Sequence, residues 1–341
     1  MRILVTGGAG YVGSVSVEHL IESGHEVAVL DNGASDNPSA DLQGASVVRG
    51  SYGDRPVVAG LLAAHRIDAV LHCAARSLVG ESMREPALYF GENVGGGIAL
   101  LDAMRDAGVG RLVISSTASV YGEPESSPVT EDAPLRPINV YGESKRTLEA
   151  IAGWYGRAYG LRVAALRYFN VAGASPRNGE VHDPETHLVP NILKAARGGP
   201  PLNVWGDDYP TPDGTPIRDY LHVVDLAEAH RLALEATAPG DARTDAMLIC
   251  NLGSGRGFSV REVIAAAEGV VGAPVPRIEG PRRAGDPPVL VAAVDRAMDV
   301  LGWTPRRSTL EEMIGSAWAL ASGRRARSVP PSAARAEPWT A

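Results

Sequence analysis

RILVTGGAGYVG, residues 2–13, decides how this chain is read. Ile3-Leu4-Val5 is a short apolar run of the kind that fills a strand buried on both faces. Thr6-Gly7-Gly8-Ala9-Gly10-Tyr11-Val12-Gly13 follows it, and helical periodicity takes over across 13–23. Glycines at 7, 10 and 13 allow a tight turn, close approach of backbone to a pyrophosphate, and close packing of helix on strand. The helix start then offers free N–H groups and a positive dipole end to phosphate oxygens. A glycine pattern alone is a weak signal; its position between a strand and a helix gives it force.

Outward from this motif the alternation continues. EVAVLD (26–31), SVVRG (46–50), AVLHCAA (69–75), RLVISST (111–117) and RVAALRYFN (162–170) read as strands, with helical patterns at 55–64, 92–107 and 141–159. Strands alternating with helices predict an α/β fold, a doubly wound parallel sheet of the Rossmann type covered on both faces. Residues 1–170 would form this domain, with a segment near 220–252 returning to it. A smaller, mixed α/β carboxy-terminal domain would occupy most of 171–320. Segment 171–220 is rich in Pro, Gly, Asp and Asn around one helical pattern at 188–198, and long segments of that texture often cover a site. Further helices are expected at 223–236, 260–271 and 310–321. The stretch GRRARSVPPSAARAEPWTA (323–341) has the composition of a disordered tail.

The bulk numbers set limits. Of 341 residues, 45% are hydrophobic and 21% charged, enough apolar content for a sizeable core. A formal net charge of −8 argues against nucleic acid or an anionic membrane as partner, while leaving an anionic small substrate open. Cys73 and Cys250 lie in apolar runs without metal-ligand spacing, so two inert buried thiols and no metal are expected. No basic segment precedes the first strand, and no apolar stretch reaches the roughly 20 residues of a membrane span. A cytoplasmic protein is expected.

Asp31 closes the second strand, where a carboxylate would hold the adenosine ribose hydroxyls and repel a 2′-phosphate; with Asn32 beside it, NAD is favoured over NADP. Tyr141 and Lys145 in YGESK stand one helical turn apart on one face. A free tyrosine, with a pKa of about 10, is a poor base at neutral pH. A neighbouring ammonium lowers that value, and a phenol poised near the working pH can take a proton from a hydroxyl. Thr117 ends strand RLVISST at the edge where doubly wound sheets bind ligands, within reach of the same oxygen.

With these residues in place, the chain resembles the extended short-chain dehydrogenase/reductase family and, within it, the UDP-glucose/UDP-galactose 4-epimerase group. The likeness spans about 1–320 and is carried by the glycine turn, LDN (30–32), HCAARSLVGES (72–82), SSTASVYGE (115–123), YGESK (141–145), LRYFNVAG (166–173), VWGDDYPTPDGTPIRDYLHVVDLA (204–227) and PRRAGD (281–286). The resemblance implies a tightly bound NAD, regenerated each turnover. Tyr141 would remove the 4-hydroxyl proton, Lys145 would hold the nicotinamide ribose and tune the phenol, and Thr117 would fill the family's Ser/Thr position. A 4-keto sugar would turn over between two hydride transfers. It also implies cofactor contacts at Gly7, Gly10, Tyr11, Val12, Asp31 and Asn32; at Ser51 and Tyr52; at Cys73, Ala74, Ala75, Ser77 and Asn93; and at Ser115, Tyr141, Lys145 and Tyr168. The nucleotide-sugar would meet Ser77, Thr117, Ser119, Tyr141 and Asn170, then His187, Leu188, Asn203, Val204 and Trp205. Arg218, Tyr220, Arg283 and Asp286 would complete that set, the arginines on the diphosphate, Asp286 near the uridine ribose and Trp205 near the uracil. Two helices, 92–107 and 141–159, would pair in a homodimer.

Several positions depart from that pattern. Gly50-Ser51-Tyr52 stands where an acid commonly meets adenine, with Asp54 the nearest acid. Ser77 replaces a lysine, Glu92 precedes Asn93 where a pair of asparagines is frequent, and His187 replaces an asparagine. Leu290 sits at the family's gate to the sugar pocket and is intermediate in size, leaving UDP-N-acetylglucosamine or a sugar altered at C6 open. The same chemistry on a UDP-hexuronic acid is one alternative, with Ser77, Ser119 or His187 meeting the carboxylate. A nucleotide-sugar dehydratase is another, but Ala118 and Ser119 occupy the places of its acid pair. A non-enzymatic NAD-binding regulator is a third, and Thr117, Tyr141 and Lys145 together speak against it.

Overall fold

A computed structural model of the chain describes residues 1–323 apart from 35, 36, 38, 39, 183, 245, 246, 284 and 285. The expected tail from 324 onward lies outside the described residues. Strands β1 (Arg2–Thr6), β2 (Glu26–Asp31) and β3 (Ser46–Arg49) alternate with helices α1 (Tyr11–Glu22) and α2 (Arg55–Ala64). β4 (Ala69–His72) leads through two short helices, α3 (Val79–Ser82) and α4 (Pro86–Tyr89), to α5 (Gly97–Asp106). β5 (Arg111–Thr117), α6 (Val140–Tyr159), β6 (Arg162–Tyr168) and β7 (Asn170–Ala172) follow. The remainder holds α7 (Leu188–Ala196), β8 (Leu202–Trp205), β9 (Ile217–His222), α8 (Val223–Ala236), β10 (Leu248–Leu252) and β11 (Gly257–Ser259). It ends with α9 (Val260–Val271), β12 (Arg277–Gly280), β13 (Val289–Leu290), α10 (Asp295–Leu301) and α11 (Leu310–Ala321).

Seven strands form the main sheet in the order β10-β6-β5-β4-β1-β2-β3, all parallel. Strand order reverses between β1 and β4, and ligands of open α/β sheets bind in the crevice at such a switch point. Register brings Thr6 level with His72, and Thr117 with Tyr168, so the carboxyl ends of these strands share one rim. Alternation in β1 divides the core. Ile3 and Val5 pack with Val17 and Leu20 of α1 and Leu226 and Ala229 of α8. Leu4 faces the other layer, with Leu61 of α2, Leu100 and Met104 of α5 and Leu148 of α6. A third core lies in the smaller carboxy-terminal part, around Ile192, Val204, Val263, Met313 and Ile314. That part carries two small sheets, β11-β9-β13 with β7 on β9, and β12-β8. β10 returns to the main sheet beside β6.

Local chemistry fixes the helix starts. Asp54 caps α2, accepting from the Val57 N–H at 3.2 Å. Asn139 caps α6 through the Gly142 N–H at 2.8 Å, placing Tyr141 in the first turn. A capping box of Ser259 and Glu262 opens α9. Where the sequence predicts one helix from 92, the chain instead makes a π-helical segment, Phe90–Gly96, before α5 begins. Gly91, Gly95 and Gly96 favour such a departure, and Tyr52 packs so closely on Gly96 that a Cβ there would lie 2.8 Å from its ring. Segment 171–220 is also more regular than its texture suggests, holding most of β7, all of β8 and the start of β9 in addition to the expected helix. No helix among the described residues is long and apolar enough to cross a membrane.

Candidate active site

The glycine turn is constrained as a dinucleotide cradle requires. Gly7 has φ 71°, and a Cβ on it would lie 2.6 Å from the Ala74 backbone. A Cβ on Gly13 would lie 2.0 Å from the Gly7 carbonyl oxygen. Gly10 precedes α1 in extended conformation. The Asp31 carboxylate accepts from the Ala9 N–H at 2.9 Å and the Gly33 N–H at 2.8 Å, shaping the turn. A carboxylate has about four lone-pair sites, so acceptor capacity remains for ribose hydroxyls. Asn32 accepts from the Ala34 N–H at 2.9 Å. Val12 is half-buried, and the Tyr11 hydroxyl donates to the Gly173 carbonyl at 2.6 Å, tying the start of α1 to the chain after β7. These features fit NAD: bare backbone, a helix start and an acid at the end of β2.

Other expected cofactor positions ring the same rim. Ser51 is exposed past β3, and Tyr52 donates to the Glu92 carbonyl at 2.9 Å while its ring meets His72 edge-on at 4.9 Å. Asp54 caps α2 by accepting one N–H bond. Cys73, Ala74 and Ala75 follow β4 directly. Cys73 and Cys250 are free thiols pushed up to about 11 and about 12 by burial. Ser77 is exposed, while Asn93 is buried and fully engaged, bonding the Arg76 N–H, the Arg76 carbonyl and the Ser144 hydroxyl. Asn93 thus fixes the loop carrying Ser77 onto α6.

The proposed chemical groups converge at the carboxyl end of β5. Thr117 and Tyr141 are 7% and 8% exposed, and Thr117 lies near enough to the phenol to oppose the rise that burial causes. Thr117 also accepts from the Ser119 N–H at 3.1 Å. Lys145 is 2% exposed and donates to the Ser115 carbonyl at 2.8 Å. Tyr168 reaches the Ser115 hydroxyl, which also lies 2.9 Å from His230 Nε2. Burial pushes the Tyr141 phenol up to about 12, against the pull of Thr117. Burial lowers Lys145 to about 8, with Cys73 and Glu149 opposing. The Lys145 ammonium is held on the Ser115 carbonyl, and in the polypeptide alone desolvation of Tyr141 prevails. Beneath this group the Glu149–Arg167 pair, 2.6 Å apart and almost fully buried, links α6 to β6. Arg167 continues to the Tyr121 hydroxyl at 3.0 Å, and Tyr121 donates to Asn251 at 2.7 Å.

Across the crevice, β9 carries Arg218, ion-paired with Asp286. The Arg283 guanidinium stacks 5.2 Å above the Trp205 ring. A cavity of about 440 Å³ opens between Glu123, Tyr209, Arg282, Arg283 and Asp286. Asn203 and Trp205 alternate outward along β8, whereas the Val204 side chain is 1% exposed in the third core, leaving only its backbone on the site side. Tyr220 is 5% exposed and packs in the third core, with Arg218 and Asp286 acting on its phenol. Asn170 donates to the Asp219 carbonyl at 3.1 Å, bridging β7 and β9. Ser119 is half-buried beside Thr117, and Leu188 opens α7. His187 precedes it, its Nδ1 2.8 Å from Glu180 and 3.0 Å from Glu185. These acids raise His187 to about 10 and His182 to about 9. Leu290 pairs with Arg218 in register and packs on the cluster of Ala118, Tyr121 and Phe169. Sequence reasoning overlooked Asp219, a buried carboxyl raised to about 6 by desolvation that accepts from Ser254, Gly255 and Ala292. It overlooked the Glu149–Arg167 pair as well; only the presence of charges inside otherwise apolar helix and strand patterns could have signalled these.

A doubly wound dinucleotide sheet whose fifth strand ends in a hydroxyl, facing a phenol and a buried amine on one helix, defines an extended short-chain dehydrogenase/reductase. Residues 3–250 match the NAD dependent epimerase/dehydratase family, and the chain belongs to it. It is 51% identical to the UDP-glucose 4-epimerase of Streptomyces lividans over 93% of this chain and 95% of that protein. With the UDP-glucose 4-epimerase of Corynebacterium glutamicum it shares 47% identity over 94% of this chain and 96% of the relative. The crystal structure of UDP-glucose 4-epimerase from Brucella ovis in complex with NAD superposes with a TM-score of 0.89 at 42% identity, covering 94% of this chain and 98% of that one. That of the Bifidobacterium longum enzyme in complex with NAD+ and UDP gives 0.86 at 33% identity, covering 95% and 99%.

Proposed function

We propose that this protein is an NAD-dependent isomerase that inverts C4 of a UDP-hexose, interconverting UDP-glucose and UDP-galactose. The observation that carries this reading is the meeting of Thr117 and Tyr141 beside buried Lys145 at the switch-point rim. NAD, held by the Gly7–Gly13 turn and Asp31, supplies a hydride acceptor and donor for a transient 4-keto sugar. Tyr141 takes the C4 hydroxyl proton and later returns it, with Thr117 bonded to the same oxygen. Lys145 holds the nicotinamide ribose; positive charge brought near the phenol opposes the burial that raises it. Residues 1–170 with about 220–252 hold the cofactor, and most of 171–320 holds the nucleotide. Arg218 and Arg283 take the diphosphate, where a guanidinium fork suits phosphate oxygens. Trp205 and Asp286 meet the uridine, so the grip is strong there and loose at the sugar, and remote binding positions the reacting carbon.

The functional unit is a homodimer through α5 and α6, whose neighbourhood exposes Trp154 (64%), Phe90 (40%) and Ile98 (37%). Two free cysteines suit a reducing compartment, the cytoplasm. The test is to incubate the purified holoprotein with UDP-galactose, UDP-N-acetylglucosamine and UDP-glucuronate and identify products by chromatography. UDP-glucose is expected from UDP-galactose, and Tyr141→Phe should lower turnover by about 10²–10⁴-fold with NAD retained. Unchanged turnover in Tyr141→Phe would refute the assigned base.

A further inference from the structure

The segment joining β7 to α7 carries four side chains that converge on one point. Glu180, His182, Glu185 and His187 each offer one ligand atom, and these atoms lie within 4.8 Å of one another. His182 Nδ1 is 3.3 Å from Glu180 Oε1 and 3.8 Å from Glu185 Oε2; His187 Nδ1 is 2.8 Å from Glu180 Oε1 and 3.0 Å from Glu185 Oε1. Bonds of about 2.0–2.1 Å to a tetrahedral ion would set its ligands about 3.3–3.4 Å apart. The four imidazole–carboxylate distances straddle that range within a set that extends to 4.8 Å, so binding would draw the widest pair together.

A second observation separates this cluster from a plain ion-pair group. His182 Nδ1 is shut off from solvent and has no aligned hydrogen bond, although it faces both carboxylates. Buried polar atoms without partners are uncommon, and each calls for an explanation such as an ion. Glu180 and Glu185 are only 7% and 11% exposed, and among the described residues no salt bridge joins either to a lysine or arginine. In the metal-free chain protonated His182 and His187 meet this charge, and a divalent ion with two neutral imidazoles would take the place of those protons. Glu185 Oε1, the oxygen 3.0 Å from His187 Nδ1, also accepts from the Thr186 and His187 N–H groups, both at 2.8 Å, which fixes the carboxylate in place.

We propose that Glu180, His182, Glu185 and His187 form a tetrahedral site for a divalent first-row transition-metal ion of the zinc class. Mixed imidazole and carboxylate ligands suit that class better than magnesium or calcium, which take oxygen shells. The expectation of a metal-free chain rested on cysteine spacing and did not weigh the E-x-H-x-x-E-x-H pattern at 180–187. The ion's task is to brace the chain ahead of α7. The segment is already pinned at its other end, where Ser175 and Asn178 donate to Glu18 of α1 at 2.5 and 2.8 Å. Binding at 180–187 closes the second end and fixes the start of α7, where Leu188 stands. Metal and protons compete for the same imidazole nitrogens, so loading releases protons.

The test is a cobalt(II) titration of tag-free, chelator-treated holoprotein. The expected result is the visible ligand-field band of tetrahedral cobalt, saturating at one ion per chain and displaced by zinc. His182→Gln and Glu180→Gln, each still retaining NAD as proof of folding, should weaken binding by more than about 100-fold, beyond the 10–100-fold typical of outer-shell changes. Absence of a saturable band, or equal binding in both variants, would overturn the site. This readout is independent of turnover, so its failure leaves the epimerase reading standing.

Discussion

Tyr141 poses the central problem at the scale of single residues, because the proposed mechanism needs its phenolate to accept a proton while burial raises the phenol to about 12. Thr117 is the one side chain that pulls the other way in the polypeptide. Replacing it, Thr117→Val, leaves desolvation unopposed, so the low-pH limb of the kcat profile should move to higher pH; a pH–rate series on the variant checks this, and an unshifted limb would contradict it. Residue types were readable from sequence here: the glycine turn, Asp31, Thr117, Tyr141 and Lys145 all lie on the rim the motifs implied. What could not be read was where lone pairs are already spent. Asn93 bonds Arg76 and Ser144, Asn170 donates to the Asp219 carbonyl, and Asp54 caps its helix. Those bonds depend on three-dimensional neighbours that no spacing rule supplies.

Among the elements, the joint between α6 and β6 supports the site from below. Glu149 shares a buried bond network with Arg167 and Ser116, so Glu149→Ala would strand a guanidinium whose side chain is 2% exposed. Removing one partner of a buried pair costs about 3–5 kcal/mol, and chemical denaturation should show that loss; a change within about 0.5 kcal/mol would contradict it. The segment before α7 responds to pH. His182 and His187 are raised to about 9 and about 10, so the stability they contribute in metal-free protein is present below the ordinary histidine value of 6.5. It is lost as pH rises through 9–10. Thermal unfolding in chelator should fall over that window, and Glu180→Gln should flatten the dependence. α2, α8, α9 and α11 occupy the ranges the sequence predicts because capping residues and long apolar periodicity mark them, as with Ser259 and Glu262. β7, β11 and β13 are two or three residues long, too short for any period to register.

On the scale of the whole molecule, one parallel sheet presents its strand ends to a crevice, and the small carboxy-terminal sheets carry Arg218 on β9 and Trp205 on β8, with Arg283 in the chain after β12. The proposed dimer makes a separate demand. Light scattering should give twice the chain mass, and Trp154→Glu, which places charge on the most exposed large apolar side chain among the described residues, should shift it toward the monomer. A wild-type monomer at working concentration would contradict the interface. The doubly wound architecture was legible because buried parallel strands read as unbroken apolar runs. Packing of the substrate side was not, since it rests on pairings such as β9 with β13 between distant short segments.

The central claim is that C4 is inverted by oxidation and reduction of the carbinol, with Tyr141 moving only the hydroxyl proton. The most direct measurement is conversion of UDP-galactose by the purified holoprotein in deuterium oxide, followed by mass and NMR analysis of the product. The account predicts UDP-glucose without deuterium on C4, and no such product from Tyr141→Phe on the same timescale. Deuterium on C4, or no interconversion by the intact protein, would contradict it.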